Sequence, residues 1–435
     1  MSAKGLPGGL DELNRRLAGL DGSRLSDLSD GIAYVYEAIA STPAALLQDF
    51  DAFTENHLDD HEGRLAAQIA RGPIRLAGGP TPVDTLLEAA RLLRALEQVA
   101  LQFDRAIESD RGPDLEDALR VSDGRHYVIR RTRSIIGLNG KPFLKRALLH
   151  HRVIPTRLKE HFLVRLHRSP RIADASAAAR RAGNEARQFG AAFFPALRAN
   201  LSPGSGDFVV ESLEGFDAET MIKAQLEAAR KDRCSAIVWA ELTMPSGSVA
   251  QVREALAACA LDEDPSCDFV VVGSWHERDG DLVRNISPVL DGGGQKLFDI
   301  VKWAKFKIGG RIEGIAPGDE IPILINDDEL IVMAICRDFL QDTEEPPYCA
   351  LDVDLAIVPS MSPAIDDPKT IWSHAATAQT MRIRFGTRTL VVIQPAMPSD
   401  NGATGQLLPF PLDPQKDRDG IIVSGSWHSC PLENL

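Results

Sequence analysis

The spacing of apolar residues divides the chain into a helical part and a part in which strands alternate with helices. From about residue 9 to 110, apolar residues recur every three or four positions, as they do along one face of a helix. The segments that show this pattern are GLDELNRRLAGL, LSDGIAYVYEAIA and TPVDTLLEAARLLRALEQVALQF. The last of them begins with Thr-Pro, which is typical of a helix start. The pattern predicts a small helical array.

The middle of the chain, residues 111–170, is basic and less regular. Within it, the Gly- and Pro-containing segment 137–142 predicts a turn. A further helix is predicted over ADASAAARRAGNEARQF, and the polar segment NLSPGSGD at 200–207 is typical of a linker. We therefore predict a domain boundary near residue 205, with a mainly helical domain over 1–204 and a second domain over 205–435.

After this boundary, strand and helix patterns alternate. DFVVESLEG, SAIVWAEL and DFVVVGSWHE predict strands, and AETMIKAQLEAARKDR and VAQVREALAACAL predict the helices between them. Such alternation is typical of a layered α/β domain.

Composition and charge narrow the class of protein. The 435 residues are 44% hydrophobic and 25% charged, and no apolar run approaches the length of a membrane span. The first residues, MSAKGLPGGLDELNRRL, contain no apolar signal-peptide region, so we expect a cytoplasmic protein.

The net charge of −14 is unevenly distributed. Residues 111–200 contain 19 Lys and Arg against 7 Asp and Glu, a balance of 19 − 7 = +12, which leaves −26 on the rest of the chain. Such a basic stretch can bind nucleic acid or dock on an acidic neighbour. No nucleic-acid motif accompanies it, so we favour docking on the acidic remainder of the same chain.

The cysteines favour free thiols in a reducing compartment. No two of them are spaced as CxxC with a matching pair, which makes a disulfide framework or a zinc site an unfavoured interpretation. All six follow residue 230: Cys234, Cys259, Cys267, Cys336, Cys349 and Cys430.

Cys336 ends the strand-like run IVMAIC and is followed at once by Arg-Asp. It is either a buried core thiol or a nucleophile, and a nucleophilic thiol needs a base or a cation nearby. SAIVWAEL supplies Glu241, which is either a general base or a capping or solvated acid. The segment VKWAKFKI supplies Lys302, Lys305 and Lys307, which in isolation are more typical of a solvated edge.

Glu, Lys and Cys in this order, each at the end of a strand, resemble the nitrilase or carbon-nitrogen hydrolase superfamily. The resemblance extends over about residues 205–435 and includes VVVGSWHERDGDLVRNISPVLDGGG, KFKIGGRIEGIAPGD, LAIVPSMSP and SHAATAQTMRIRFGTRTLVVIQPA. Two positions depart from the family pattern: Arg337 follows the cysteine, and Gln394 stands where Asn is usual. The segment around KFKIGGRIEG resembles the amidase members in particular.

The resemblance implies a four-layer α-β-β-α sandwich and a Glu-Lys-Cys triad. It assigns the catalytic base to Glu241, the catalytic lysine to Lys305, the nucleophile to Cys336 and a substrate-positioning role to Glu313. Lys307 is the alternative lysine if the local alignment shifts. By contrast, we expect Trp275, His276 and His374 to be structural, and Ser360 to lie in a turn or line a pocket.

The implied activity is hydrolysis of a small non-peptide amide, or a nitrile, through a thioester, with no metal or organic cofactor. The resemblance also implies a homodimer or higher homo-oligomer. The alternative function is a signalling or defence-type binding module. In it, the N-terminal region recognises a partner such as nucleic acid, and the nitrilase-like domain is an effector or scaffold.

Overall fold

A computed structural model describes residues 9–103, 115–131, 147–169, 187–203, 206–261, 267–326, 329–340, 346–363, 368–413 and 420–432. The chain divides into two compact units, Met1–Arg157 and Leu158–Leu435. The predicted turn at 137–142 and most of the predicted helix at 173–189 lie outside the described residues.

The first unit is mainly helical. Its helices are α1 (Leu10–Leu17), α2 (Leu25–Ala40), α3 (Ala44–Asp51), α4 (Asn56–Ile69), α5 (Pro82–Ala100) and α6 (Leu115–Leu119). An antiparallel pair of strands follows, β1 (His126–Arg130) and β2 (His151–Pro155). The three segments with helical periodicity are confirmed as α1, α2 and α5, and α5 packs against α2, α3 and α4.

Helix α5 begins where the Thr-Pro pair predicts. The Asp84 N–H donates to Thr81 Oγ1 at 3.2 Å, and the Thr81 N–H donates to the Asp84 carboxylate at the same distance. This capping box satisfies two N–H groups that the start of a helix would leave unpaired, and Pro82 has no N–H to satisfy.

A buried acid fixes the other end of α5. The Glu97 carboxylate, which has no solvent exposure, accepts the N–H groups of Leu149, His150 and His151 at 2.7–2.9 Å. Burial alone would raise its pKa, but the His151 ring and these N–H groups outweigh burial and lower it. Glu97 therefore anchors the start of β2 to the helix.

The second unit contains two large sheets. The first has the order β10-β11-β9-β8-β5-β21, with β12 also pairing with β11. Its strands are β5 (Arg187–Ala192), β8 (Ala236–Trp239), β9 (Phe269–Val271), β10 (Trp275–Asp279), β11 (Leu282–Asp291), β12 (Lys296–Val301) and β21 (Trp427–Leu432).

The second sheet has the order β20-β19-β18-β17-β16-β15-β4-β3. Its strands are β3 (Arg157–Leu158), β4 (Phe162–Arg168), β15 (Glu320–Asn326), β16 (Glu329–Met333), β17 (Leu355–Ser362), β18 (Arg388–Pro395), β19 (Gly405–Phe410) and β20 (Ile421–Val423). Two short ribbons complete the unit, β6 (Arg198–Leu201) with β7 (Val210–Glu214), and β13 (Lys307–Ile308) with β14 (Arg311–Ile312).

Alternation along β8 shows how the layers stack. Ala236 and Val238 belong to an apolar core that also contains residues of the second sheet, such as Ile331 and Ile357. Ile237 and Trp239 face the opposite way, into a core that includes residues of α7 (Ala218–Lys231) and α8 (Ser246–Leu261). On the second sheet, α9 (Pro368–Phe385) packs against β18 and β19. The result is the predicted α-β-β-α sandwich.

The domain boundary lies about fifty residues earlier than the sequence predicts. Strand β4 pairs in parallel with β15, and β5 pairs in parallel with β8, so segments before residue 205 form part of both sheets. The prediction failed because the charged residues of β4 conceal the buried alternate positions of FLVRLHR. The predicted linker at 200–207 begins within β6 and leads into its ribbon partner β7.

Candidate active site

Polar side chains from both sheets of the second unit lie together at the ends of strands. Glu241 follows β8 and Lys302 follows β12 in the first sheet, whereas Cys336 follows β16 in the second. The three residues are only 2%, 1% and 3% exposed. Burying a charge is costly unless it is paired, so each charged group here needs an opposite charge or hydrogen-bond donors and acceptors around it.

Lys302 lies between two carboxylates. Its Nζ donates to Glu241 Oε1 at 2.7 Å and to Glu313 Oε2 at 2.7 Å. An ammonium group has three N–H donors. Among the described residues these two carboxylates are its hydrogen-bond partners, so one of its N–H groups remains available.

Glu313 is held by a further set of donors. The Phe306 N–H donates to Oε2 at 2.9 Å, and Asn285 Nδ2 donates to Oε1 at 3.0 Å. His276 Nδ1 accepts the N–H of Val210 at 2.8 Å, so the ring of a neutral His276 carries its proton on Nε2 and donates it to Glu313 Oε1 at 3.1 Å. Glu313 is therefore fixed in place on both oxygens.

Cys336 adopts a strained backbone conformation. Its φ is +49°, in the left-handed region that residues other than glycine rarely enter, and a 3-10 turn over Cys336–Phe339 starts there. This sharp change of direction at the end of β16 brings the thiol towards the strand ends of the first sheet.

The peptide groups of Met361 on β17 link the thiol to Glu241. The Met361 N–H donates to Glu241 Oε2 at 3.0 Å, and Cys336 Sγ donates to the Met361 carbonyl at 3.8 Å. The same residue thus holds the carboxylate of one sheet and the thiol of the other. Asn285 Nδ2 also donates to Glu241 Oε1, at 3.1 Å.

The electrostatics of the cluster fix which groups are charged. Burial would lower the pKa of Lys302, but the Glu241 and Glu313 carboxylates outweigh burial and raise it. Burial likewise opposes ionisation of Glu313, yet Lys302 and the hydrogen bonds of His276 and Phe306 lower its pKa to about 2. Burial raises the pKa of Cys336, and the Glu241 carboxylate raises it further. At neutral pH the thiol is protonated, Lys302 is cationic and Glu313 is anionic.

The structure replaces Lys305 by Lys302 in the predicted cluster. Lys305 and Lys307 are both exposed, whereas Lys302 is buried between the carboxylates. The sequence did carry the signal: Phe298 and Ile300 are the buried positions of β12, and a period of two places Lys302 on the same inward face. Glu241, Glu313 and Cys336 do lie where the sequence predicts a shared site.

Two residues of the cluster were missed as functional residues. His276 and Asn285 are directly opposite each other in the pairing of β10 with β11 and point at the same Glu313 oxygen. Asn285 lies within the segment that resembles the family, but its partner depends on the strand register, which the sequence does not show. Gly273 supports the cluster by its lack of a side chain. A Cβ there would lie 2.6 Å from the carbonyl oxygen of Ala240, the residue before Glu241.

Three other residues singled out in the sequence, Ser360, His374 and Gln394, are buried in this unit, whereas Trp275 and Arg337 are partly exposed. Ser360 lies on β17 without solvent exposure, next to Met361, and His374 on α9 is equally buried. Gln394 accepts the Phe194 N–H and donates to the Phe194 and Thr404 carbonyls, so it joins strand ends rather than entering the cluster. Across the described part of the chain, no group of three His, Cys, Asp or Glu side chains converges to hold a metal ion.

Comparisons with known proteins were made for the whole chain. No protein-family model and no curated protein matches it. Among solved structures, it is similar to an amidase from Nesterenkonia sp., with 13% identity and a TM-score of 0.39, over 57% of this chain and 91% of the amidase.

Two structures of an amidase from Nesterenkonia sp. AN1 are also similar. One is a variant described as an amidase from the nitrilase superfamily, with 12% identity and a TM-score of 0.41 over 58% of this chain and 92% of that one. The other shows the Michael addition of acrylamide at the active-site cysteine, with 14% identity and a TM-score of 0.39 over 57% and 93%. No helix among the described residues is long and apolar enough to cross a membrane.

Proposed function

We propose that the protein is a cysteine-dependent hydrolase of non-peptide carbon-nitrogen bonds, of the nitrilase-superfamily type, and that its substrates are small amides. The observation that carries the proposal is the buried Glu241-Lys302-Glu313 cluster linked through Met361 to Cys336. A buried cation between two acids, beside a strained cysteine, has the groups that acyl transfer needs.

In the first half-reaction, Cys336 Sγ attacks the amide carbonyl carbon. Because burial keeps the thiol protonated, its proton must leave as the sulfur-carbon bond forms, and Glu241 accepts it. The tetrahedral intermediate then collapses, the carbon-nitrogen bond breaks, and Glu241 returns the proton to the departing ammonia or amine. The product left on the enzyme is a thioester.

Lys302 stabilises the negative charge that develops on the substrate oxygen. Its remaining N–H meets that oxygen, and its fixed position means that little reorganisation is needed as the charge forms. Such a donor in a site without water contributes on the order of a few kcal/mol to the stability of the transition state.

In the second half-reaction, water hydrolyses the thioester. Glu241 takes a proton from the water as it attacks the carbonyl carbon, and returns this proton to Cys336 Sγ as the carbon-sulfur bond breaks. The carboxylic acid is released and the thiol is restored. Glu313 is poorly suited to this role, because Lys302 and the hydrogen bonds of His276 and Phe306 lower its pKa and make it a weak base. We assign to Glu313 the positioning of Lys302 and of the substrate nitrogen or water.

Amides are favoured over nitriles because KFKIGGRIEGIAPGD resembles the amidase members of the superfamily. Hydrolysis of either substrate class would proceed through the same groups. The described residues give no support to the alternative of a nucleic-acid-binding module.

The test is ammonia release from a panel of small aliphatic and aromatic amides, with matching nitriles. We expect at least one amide to be hydrolysed by the full chain, and Cys336→Ala and Cys336→Ser to abolish turnover, because a hydroxyl is far less acidic than a thiol. Cys259→Ala, which removes a partly exposed thiol of α8, is the matched control and should retain activity. Turnover that survives in Cys336→Ala would refute the mechanism.

A further inference from the structure

A second buried acid lies close to the nucleophile. Asp338 is two residues after Cys336 in the same 3-10 turn and has no solvent exposure. Its Oδ1 accepts the N–H of Trp303 at 3.1 Å and the N–H of Ala304 at 2.7 Å. Because these residues directly follow Lys302, one carboxyl group joins the turn of the nucleophile to the loop of the lysine.

The other oxygen of Asp338 is placed differently. Oδ2 is buried and has no hydrogen-bond partner among the described residues. A charged oxygen left without donors in a dry site is far more costly than a neutral one. An ionised Asp338 would therefore lack the support that the structure gives to Glu313.

The charged and titratable groups around Asp338 lead to the same result. Burial raises its pKa well above the ordinary value, and Glu241 adds to this effect, although Lys302 and the two N–H donors oppose it. The Lys302 ammonium already pairs with two carboxylates, and the neighbouring Cys336 and Tyr348 are themselves buried acids that stay protonated at neutral pH. No cation in this set is left to balance a third carboxylate.

We propose that Asp338 is a positioning residue that works as a neutral carboxylic acid and sets the distance between Cys336 and Lys302. The inference rests on the proposed function, in which sulfur attack and charge stabilisation occur on one carbonyl group. Both groups must then be held at fixed positions, and a displacement of about 1 Å can cost about a hundredfold in rate.

The link is tested by the rate at which iodoacetamide alkylates Cys336 in the full chain, followed by peptide mass spectrometry. We expect Asp338→Ala to slow alkylation of Cys336 by about tenfold or more, because the turn and the Lys302 loop separate. Asp338→Asn should rescue this loss to within about threefold of the parent, because an amide keeps the acceptor oxygen and has the size of the neutral acid. Equal rates in the parent and in Asp338→Ala would overturn the link.

Two controls separate the link from general damage to the fold. The labelling of Cys259 in the same samples should be unchanged in every variant. Asp354→Ala removes another buried aspartate, one that accepts the Leu330 N–H at the far end of β16, and should leave the labelling of Cys336 within about twofold of the parent. A similar slowing in Asp354→Ala would show that any buried aspartate has this effect, and would refute a specific role for Asp338.

The charge state is tested by the pH profile of the same alkylation in Asp338→Asn, and this arm does not depend on whether Asp338→Ala folds. If Asp338 is neutral, the alkylation rates of the parent and of Asp338→Asn rise with the same pH dependence between pH 6 and 9, whatever their absolute values. If it is ionised, its replacement removes a negative charge near the thiol and shifts the profile to lower pH. Such a shift, or a tenfold loss of labelling in Asp338→Asn, would overturn the proposal.

The two proposals can fail separately. If no amide in the panel is hydrolysed, the proposed function fails, while the alkylation rates still report whether Asp338 positions Cys336. If an amide is hydrolysed and Asp338→Ala keeps the alkylation rate of the parent, the inference about Asp338 fails alone.

Discussion

At the residue scale, the position of the lysine determines how the site is interpreted. Lys302 and Lys305 are three residues apart in VKWAKFKI, yet one is buried between two carboxylates and the other is exposed. Burial and pairing with carboxylates, rather than residue type, distinguish Lys302 from the solvated Lys305. The pair therefore offers a matched test within one loop.

We expect Lys302→Met to lower kcat/KM for the hydrolysed amide at least a hundredfold, because it removes the donor to the developing oxyanion and leaves two carboxylates without their cation. Lys305→Met should stay within about twofold of the parent, as surface substitutions usually do. Steady-state kinetics and a thermal melt of each variant are the measurements. If Lys305→Met were the inactive variant, the proposed site would be wrong.

The two glutamates differ in the half-reaction that they serve. Glu241→Gln removes the proposed base and should prevent acylation itself, so little covalent adduct forms. Glu313→Gln leaves the base in place, so Cys336 can still attack and a slowly hydrolysed thioester accumulates. Intact-mass spectra after mixing each variant with the amide would show the difference, and the reverse pattern would exchange the two roles.

Much of this site could be predicted from the sequence, because Glu241 and Cys336 each end an apolar run and Glu313 lies in a recognisable segment. His276 and Asn285 could not, because their function depends on being opposite each other across β10 and β11. The register of two strands is set by packing on both faces of the sheet, which no local pattern records.

At the element scale, patterns that repeat over many residues predicted best. Helix α5 has a long periodic segment and a Thr-Pro start signal, and these two signals were sufficient to predict the helix and where it begins. Strands β4 and β5 were missed because each carries charged residues and pairs with partners distant in sequence. Strand preference of this kind depends on context.

The cap of α5 can be tested alone. We expect Thr81→Ala to lower the free energy of unfolding of the first unit by about 1 kcal/mol, because it removes the capping hydroxyl, and Thr81→Ser to restore most of it. The tryptophans Trp239, Trp275, Trp303, Trp372 and Trp427 all lie in the second unit. Tryptophan fluorescence would therefore report only on the second unit, and urea unfolding is followed instead by circular dichroism. The helical signal should shift to lower urea concentration in Thr81→Ala, and an unchanged transition would contradict the role of the cap.

At the scale of the whole molecule, the division into two units assigns residues 158–204 to the second unit. Those residues supply β4 and β5, which pair with β15 and β8. The second unit is thus longer than the segment over which the sequence resembles the family. The predicted homodimer and the docking of the basic stretch stay predictions.

A pair of fragments tests this boundary. We expect residues 158–435 to unfold cooperatively by tryptophan fluorescence, because every strand of both sheets is complete except the two-residue edge strand β3. Residues 205–435 lack β4 and β5, so their sheets expose unpaired edges, and we expect aggregation or a non-cooperative transition. A fragment 205–435 that hydrolysed the amide as well as the full chain would restore the boundary predicted from the sequence.

Met361 contributes to the site only through its backbone. The N–H that holds Glu241 and the carbonyl that accepts from Cys336 are groups that every amino acid except proline supplies in full. Mutation of Met361 to another residue can therefore keep both backbone hydrogen bonds, as long as the new side chain packs. A site built partly from peptide groups cannot be recognised in full by comparing residue identities, and substitution by proline is the one change that would remove the N–H.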